Sequence, residues 1–215
     1  MAAEKDSTSW EVEDDRYNFN YFSNTGAAGL KHAITLSPNT YLQSAAVVSG
    51  NNYGFDAAKL EENYVPNLTY RESHTNKKIT VSSVLNHKFN AQHSIRSGAY
   101  FNEYFFDLTQ KQLNDETSVI EVPLSATGRA TTAQLFSQWN YRVTQKLSLN
   151  AGLHYLHLLD NNTSSLEPRT SVKYELNEQQ SVSIGYGLHG QMQPVGTYEA
   201  QVLQTDGSYY KPNQD

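Results

Sequence analysis

Residues 166–193 of this 215-residue chain read LEPRTSVKYELNEQQSVSIGYGLHGQMQ. Thr170, Val172, Tyr174 and Leu176 alternate with Arg169, Ser171, Lys173 and Glu175. After Asn177-Glu178-Gln179-Gln180, Val182, Ile184, Tyr186 and Leu188 alternate with Ser183, Gly185, Gly187 and His189. A period of two marks a strand whose two faces meet different surroundings. Two such runs joined by a short polar link form an antiparallel hairpin with one oily and one wet face. A soluble sheet buries the oily face in a core. A membrane barrel turns it to lipid and keeps the wet face inside.

The same period recurs along the chain. Leu30, His32, Ile34 and Leu36 alternate, as do Leu42, Ser44, Ala46 and Val48, and Ile79, Val81, Ser83 and Leu85. Ile95, Ser97, Ala99, Phe101 and Phe105 mark a longer run. Ala133, Leu135, Ser137, Trp139, Tyr141 and Val143 follow, with Gln134, Gln138, Asn140 and Arg142 between them. Leu147, Leu149, Ala151, Leu153 and Tyr155 alternate with Ser148, Asn150, Gly152 and His154. The pattern predicts an all-β antiparallel up-and-down meander of about eight strands. Their length of about 8–12 residues is close to the ~9–11 of a tilted membrane strand and above the ~5–6 usual in soluble sheets.

The links sort by length. Ser37-Pro38-Asn39-Thr40, His87 to Ala91, Thr144-Gln145-Lys146 and Asn177 to Gln180 are short and rich in turn residues. Gly50 to about Lys77, Asp107 to about Arg129, Leu159 to Ser165 and Gln191 to Asp215 read as long polar loops. Short and long alternate, so a meander collects every short turn at one rim. Outer-membrane barrels have short periplasmic turns and long extracellular loops. The expected organisation is therefore 1–29 as extracellular loop and the start of the first strand, 30–192 as barrel strands, and 193–215 as a further extracellular loop. Both ends then fall at the loop rim, which predicts an open, curved segment of a larger transmembrane barrel, with strands missing on both sides.

Composition agrees. The chain is 38% hydrophobic yet holds 15 Tyr, 8 Phe and 2 Trp, a strand-forming mixture suited to a barrel with a wet interior. A formal charge of −6 and no basic run argue against a nucleic-acid partner. No cysteines are present, which excludes disulfides and Cys-based zinc sites. No run approaches the ~20 apolar residues of a membrane helix. The acidic opening MAAEKDSTSWEVEDD lacks the apolar core of a secretory signal.

SSLEPRTSVKYELNEQQSVSIGYGLHGQMQP at 164–194, FSQWNYRVTQKLSLNAGLHY at 136–155 and LNHKFNAQHSIRSGAYF at 85–101 together resemble the late barrel of TonB-dependent outer-membrane receptors. The resemblance is to the branch that carries a carboxypeptidase-like regulatory domain before its plug. It covers most of residues 20–198, and the Leu166-Glu167-Pro168-Arg169 and Gly185-Tyr186-Gly187-Leu188-His189 blocks are its specific part. It implies a 22-stranded barrel around an N-terminal plug, in the outer membrane, importing a scarce nutrient or metal chelate with energy passed through TonB. The implied partners are outer-membrane lipid, the remaining strands and plug, the TonB complex and a small ligand. No plug and no TonB-contacting box are visible in these residues.

The parity assigns each candidate residue a side. Trp139, Tyr141, Leu147, Leu149, Leu153, Tyr155, Val172, Tyr174, Val182, Ile184, Tyr186 and Leu188 are expected to face lipid. Tyr and Trp suit the membrane interface, having an apolar ring and a wet tip. Gln138, Asn140, Arg142, Glu167, Arg169, Lys173 and His189 are expected to line the lumen. Glu167 and Arg169 flank Pro168, which is tolerated where a strand begins, so a structural role accompanies any lumen role. His154 and His157 fall on opposite faces of a strand and do not make a metal pair. Glu11, Glu13, Asp14 and Asp15 lack the glycine of a calcium loop and read as solvated acids. Asn67, Asn161 and Asn162 begin glycosylation sequons and read as ordinary loop residues. G-x-S-x-G, H-E-x-x-H and phosphate-cradling glycine patterns are absent from the sequence, so no catalytic group, metal or cofactor is expected. Two other architectures fit the alternation: a small closed eight-stranded membrane barrel and a soluble lipocalin-like binding protein.

Overall fold

The computed structural model describes residue 8 and residues 10–61, 63–191 and 193–212. The outermost parts of the two expected end segments, Met192, and the side chains of Glu13 and Asp14 lie outside the described residues. Eight strands form one sheet in chain order: β1 Tyr17–Ser37, β2 Thr40–Leu60, β3 Pro66–Lys88, β4 His93–Asn114, β5 Val119–Arg142, β6 Leu147–Leu158, β7 Thr163–Asn177 and β8 Gln180–Gly187. Each is antiparallel to the next, and β1 and β8 do not pair with one another. The sheet is therefore an open barrel segment. That disposes of the closed eight-stranded barrel, which would need β1 on β8.

The loop expectations need correction. β2 runs on to Leu60 and β3 starts at Pro66, so most of residues 50–77 is paired strand rather than loop. Likewise β4 runs to Asn114 and β5 starts at Val119, leaving only a tight turn where residues 107–129 read as loop. The first strand begins at Tyr17, inside the segment expected to be mostly loop. β1 to β5 are consequently 21 to 24 residues long, about twice the expected length. The reason is physical. Alternation appears only where one face is oily. Beyond the oily rows the ladder still satisfies its backbone groups, but the apolar parity passes to the other face, as at Tyr17-Phe19-Tyr21 and Tyr53-Phe55-Ala57, so the run appears broken.

Side-chain oxygens set the turns, as short polar residues do. Asn90 Oδ1 accepts the amides of Gln92 and His93, and Asn114 Oδ1 those of Glu116 and Thr117. Thr144 Oγ1 accepts the amides of Lys146 and Leu147, and Asn177 Oδ1 that of Gln179.

Three cross-strand pairs set a phenylalanine ring over a glycine: Phe22 with Gly54, Gly98 with Phe136, and Phe106 with Gly128. A ring in this position covers the backbone that glycine leaves bare. At Gly98 a Cβ would sit 2.6 Å from Phe136 Cε1 and 2.8 Å from the Ser83 carbonyl oxygen. Gly98→Ala is expected to cost about 1–3 kcal/mol of strain, read as a lower urea midpoint for the chain folded in detergent. An unchanged midpoint would show that the ring and backbone yield freely.

After β8 the chain leaves the sheet and folds back. Leu188 N donates to Pro168 O at 3.0 Å, and Gly190 N donates to Glu167 Oε1 at 3.0 Å. A short helix, α1 Val195–Glu199, then lies on β5, where Gly196 comes close to Leu108 and Leu124. Ala200 bridges to Leu124, and Gln201 donates to the Pro123 and Val122 carbonyls. A two-stranded hairpin, β9 Val202–Leu203 with β10 Tyr209–Tyr210, ends the described part. The only buried hydrophobic residues among those described are Ala57, Leu60, Val84, Leu108 and Leu124, so the sheet does not enclose a conventional core.

Candidate functional site: the two faces of the sheet

Strand register fixes which side chains share a face. One face carries the rows Ser44–Ser83–Ala99–Leu135–Tyr155–Leu166 and Thr40–His87–Ile95–Trp139–Ala151–Thr170–Tyr186. The next row is His93–Tyr141–Leu149–Val172–Ile184, and Leu147, Tyr174 and Val182 form another. Leu188 extends this face past the end of β8, opposite Pro168. All twelve residues expected on the oily side fall here together. None of them is buried, and Ile184 is 76% exposed, Tyr186 68% and Val182 53%. A soluble lipocalin-like fold would have buried them.

Near the short turns this face holds a stack of rings. His93 lies flat against Tyr141 at 4.3 Å and against Trp139 at 5.6 Å, and Trp139 stacks on Tyr141 at 5.4 Å. Trp139 Nε1 donates to His93 Nδ1 at 3.3 Å. His93 went unnoticed in the sequence because its run begins within a polar link.

The opposite face carries Tyr41–Asn86–Arg96–Gln138–Gly152–Arg169–Gly187 in one row and Gln43–Val84–Gly98–Phe136–His154–Glu167 in the next. Asn140 and Asn150 form a third with Lys88, Ser94 and Ser171, and Arg142 and Lys173 a fourth with Ser148. His189 joins this face, its Nε2 lying near Gly187. The polar residues are hydrogen-bonded sideways across strands. Thr80 donates to Asn102 and Asn102 to Thr132, at 2.9 and 3.1 Å. Asn140 donates to Asn150 and Asn150 to Ser171, at 2.6 and 3.2 Å.

Glu167 is the centre of the most elaborate of these networks. Its side chain is only 2% exposed. Oε2 accepts from Arg169 at 2.7 Å and meets His154 Nδ1 at 3.1 Å, while Oε1 takes the Gly190 amide and a longer contact from Ser165. A buried carboxylate needs such partners to remain charged. The Glu167–Arg169 pairing was legible from the LEPR block. The His154 and Gly190 contacts were not, since they depend on strand register and on the fold-back after β8. His157 lies on the other face beside Tyr155.

Beyond the oily rows, aromatic rings gather on the polar face of β1 to β3. Tyr17, Phe19, Phe55 and Tyr70 follow one another at 5.8, 5.8 and 6.0 Å. Burial, together with a hydrogen bond to Glu72, pushes the Tyr70 phenol up to about 12.

A family model described as TonB dependent receptor-like, beta-barrel, matches residues 3–214. The chain belongs to that family. Among solved structures, the RagAB peptide importer in its closed-closed state matches with a TM-score of 0.58 at 14% identity, over 90% of this chain and 26% of that one. A further structure of the RagAB peptide transporter matches with a TM-score of 0.53 at 14% identity, over 81% of this chain and 23% of that one. At such identity the likeness is one of fold. This TonB-dependent receptor barrel segment spans about a quarter of the chains it matches. No curated protein matches it. Receptors of this family are outer-membrane transporters rather than enzymes.

Proposed function

We propose that this chain is part of the wall of a TonB-dependent importer in the outer membrane. Its oily face, with Trp139, Tyr141, Leu147, Leu149, Leu153, Tyr155, Val172, Tyr174, Val182, Ile184, Tyr186 and Leu188, lies against lipid. Its polar face, with Gln138, Asn140, Arg142, Glu167, Arg169, Lys173 and His189, lines the lumen. The short turns are periplasmic and the long hairpins extracellular. The free edges of β1 and β8 pair with further strands, because open backbone groups in lipid are costly. A plug within the barrel receives energy from TonB, and the cargo is a small nutrient or metal chelate. The RagAB structures are of peptide importers, so oligopeptides belong in the same substrate screen.

One observation carries this reading: mostly apolar rows run across the eight strands and none of their apolar residues is buried. Monomeric soluble proteins rarely expose apolar patches beyond ~300–600 Å². The test uses Trp139, with Trp10→Phe removing the other indole. In bilayers of brominated phospholipid, Trp139 fluorescence is expected to be strongly quenched relative to plain lipid. Equal emission in both, with the sheet intact by circular dichroism, would reject a lipid-facing wall.

A further inference from the structure

The polar face is charged unevenly. From the short turns up to the Thr80–Asn102–Thr132 row it carries Lys31, Lys88, Arg96, Arg142, Arg169 and Lys173 against two carboxylates, Glu167 and Glu175. This is in a chain whose formal charge is −6. Both carboxylates are engaged, Glu167 with Arg169 and His154, and Glu175 with Lys173 at 3.2 Å. Among the described residues no carboxylate lies within ion-pairing distance of Lys31, Lys88, Arg96 or Arg142.

Two of the cations flank a trough of about 480 Å³ on this face. Arg96 and Arg169 stand in one cross-strand row with Gln138 and Gly152 between them. Gly152 has no side chain, so the floor is open beside Arg169, with Gln138 between it and Arg96. Phe136, Tyr100 and His154 form its wall, and the Arg96 guanidinium lies 5.9 Å from the Phe136 ring centre. Arg169 has spent one nitrogen on Glu167 yet is 47% exposed, so its fork retains donors.

We infer that the Arg96–Gly152–Arg169 trough is a binding site for carboxylates of an extended acidic polypeptide held against the polar face. Three strand spacings separate the two arginine backbones, about 14 Å. A single small carboxylate reaches one of them. On an extended chain, side chains four residues apart are about 13 Å apart and point the same way, which matches the row. Guanidinium forks bind carboxylates in paired hydrogen bonds. The inference rests on the polar face looking into a barrel.

The test uses the whole chain in detergent micelles, with fluorescently labelled hexaglutamate as probe and anisotropy as readout at low ionic strength. Hexaglutamate is expected to bind, and hexalysine not. Arg96→Gln is expected to weaken binding at least about tenfold. Gly152→Leu, which keeps every charge and fills the floor, is expected to do likewise; an added Cβ there meets nothing closer than 3.4 Å. Lys77→Gln, on the opposite face, is expected to leave binding unchanged. Hexaglutamate binding that ignores both trough variants would overturn the site. Displacement by succinate at equal carboxylate concentration would overturn the polypeptide. Trp139 quenching separates the two levels: intact quenching without hexaglutamate binding rejects the trough alone, and lost quenching rejects the wall beneath it.

Discussion

Leu135→Arg is expected to abolish stable insertion of this barrel segment, at a cost of about 2–4 kcal/mol, as for a charge on the lipid face near the bilayer midplane. Leu135 lies between Ala99 and Tyr155 in the middle of the oily rows and is 56% exposed. Its neighbour Gln134 points to the other face, beside His154. Gln134→Arg adds the same charge to the same strand and is expected to cost far less, because that face is wet. Folding of each variant into phospholipid bilayers, followed by urea titration, compares them. Equal losses would mean that the two faces do not see different solvents. A soluble protein would stay monodisperse in plain buffer, whereas this chain is expected to require detergent.

Glu167→Ala is expected to cost about 3–5 kcal/mol, the usual penalty for removing one partner of a buried ionic network. It leaves Arg169 and His154 facing one another and orphans the Gly190 amide. Glu167→Gln retains an acceptor and is expected to lose less. The network also anchors the start of the fold-back from β8 to β5. Hydrogen exchange at the Gly190 amide is therefore expected to accelerate sharply in both variants, more so in Glu167→Ala. Unaltered exchange there, alongside a lowered stability, would show that the carboxylate supports β6 and β7 but not the returning chain.

How far the sequence led differs between the parts. Strand identity and facing were legible wherever an oily face met a wet one, as at Trp139–Arg142 and Val172–Lys173. The strand reaches beyond the oily rows were not. Asn51, Asn52, Lys77 and Lys78 carry loop-like polarity, and only cross-strand pairing shows that they belong to β2 and β3. The cationic trough was hidden for another reason. Arg96 and Arg169 are 73 positions apart in sequence and meet in a row only through the registers of β4 to β7. The same holds for Phe136 over Gly98. Periodicity reports on a single strand, whereas register is a property of pairs.

The length of the paired hairpins also bears on how such a protein can change over generations. β4 and β5 are 22 and 24 residues long and in register over nearly their whole length. A strand of that length is about 75–80 Å of contour, of which a tilted crossing of the hydrocarbon uses only ~9–11 residues. On the proposed wall reading, the remainder stands clear of the membrane as a stiff palisade. In a regular ladder the loss of one residue inverts the facing of every side chain beyond the cut, and the bulges at Gln110/Gln112 and Ala57/Ala58 mark where an unmatched residue is absorbed. Point replacements leave the register alone, whereas a change of length away from the tips needs either a bulge of this kind or matched changes on both strands. On the proposed wall reading, the upper hairpins are thus freer to vary in chemistry than in height.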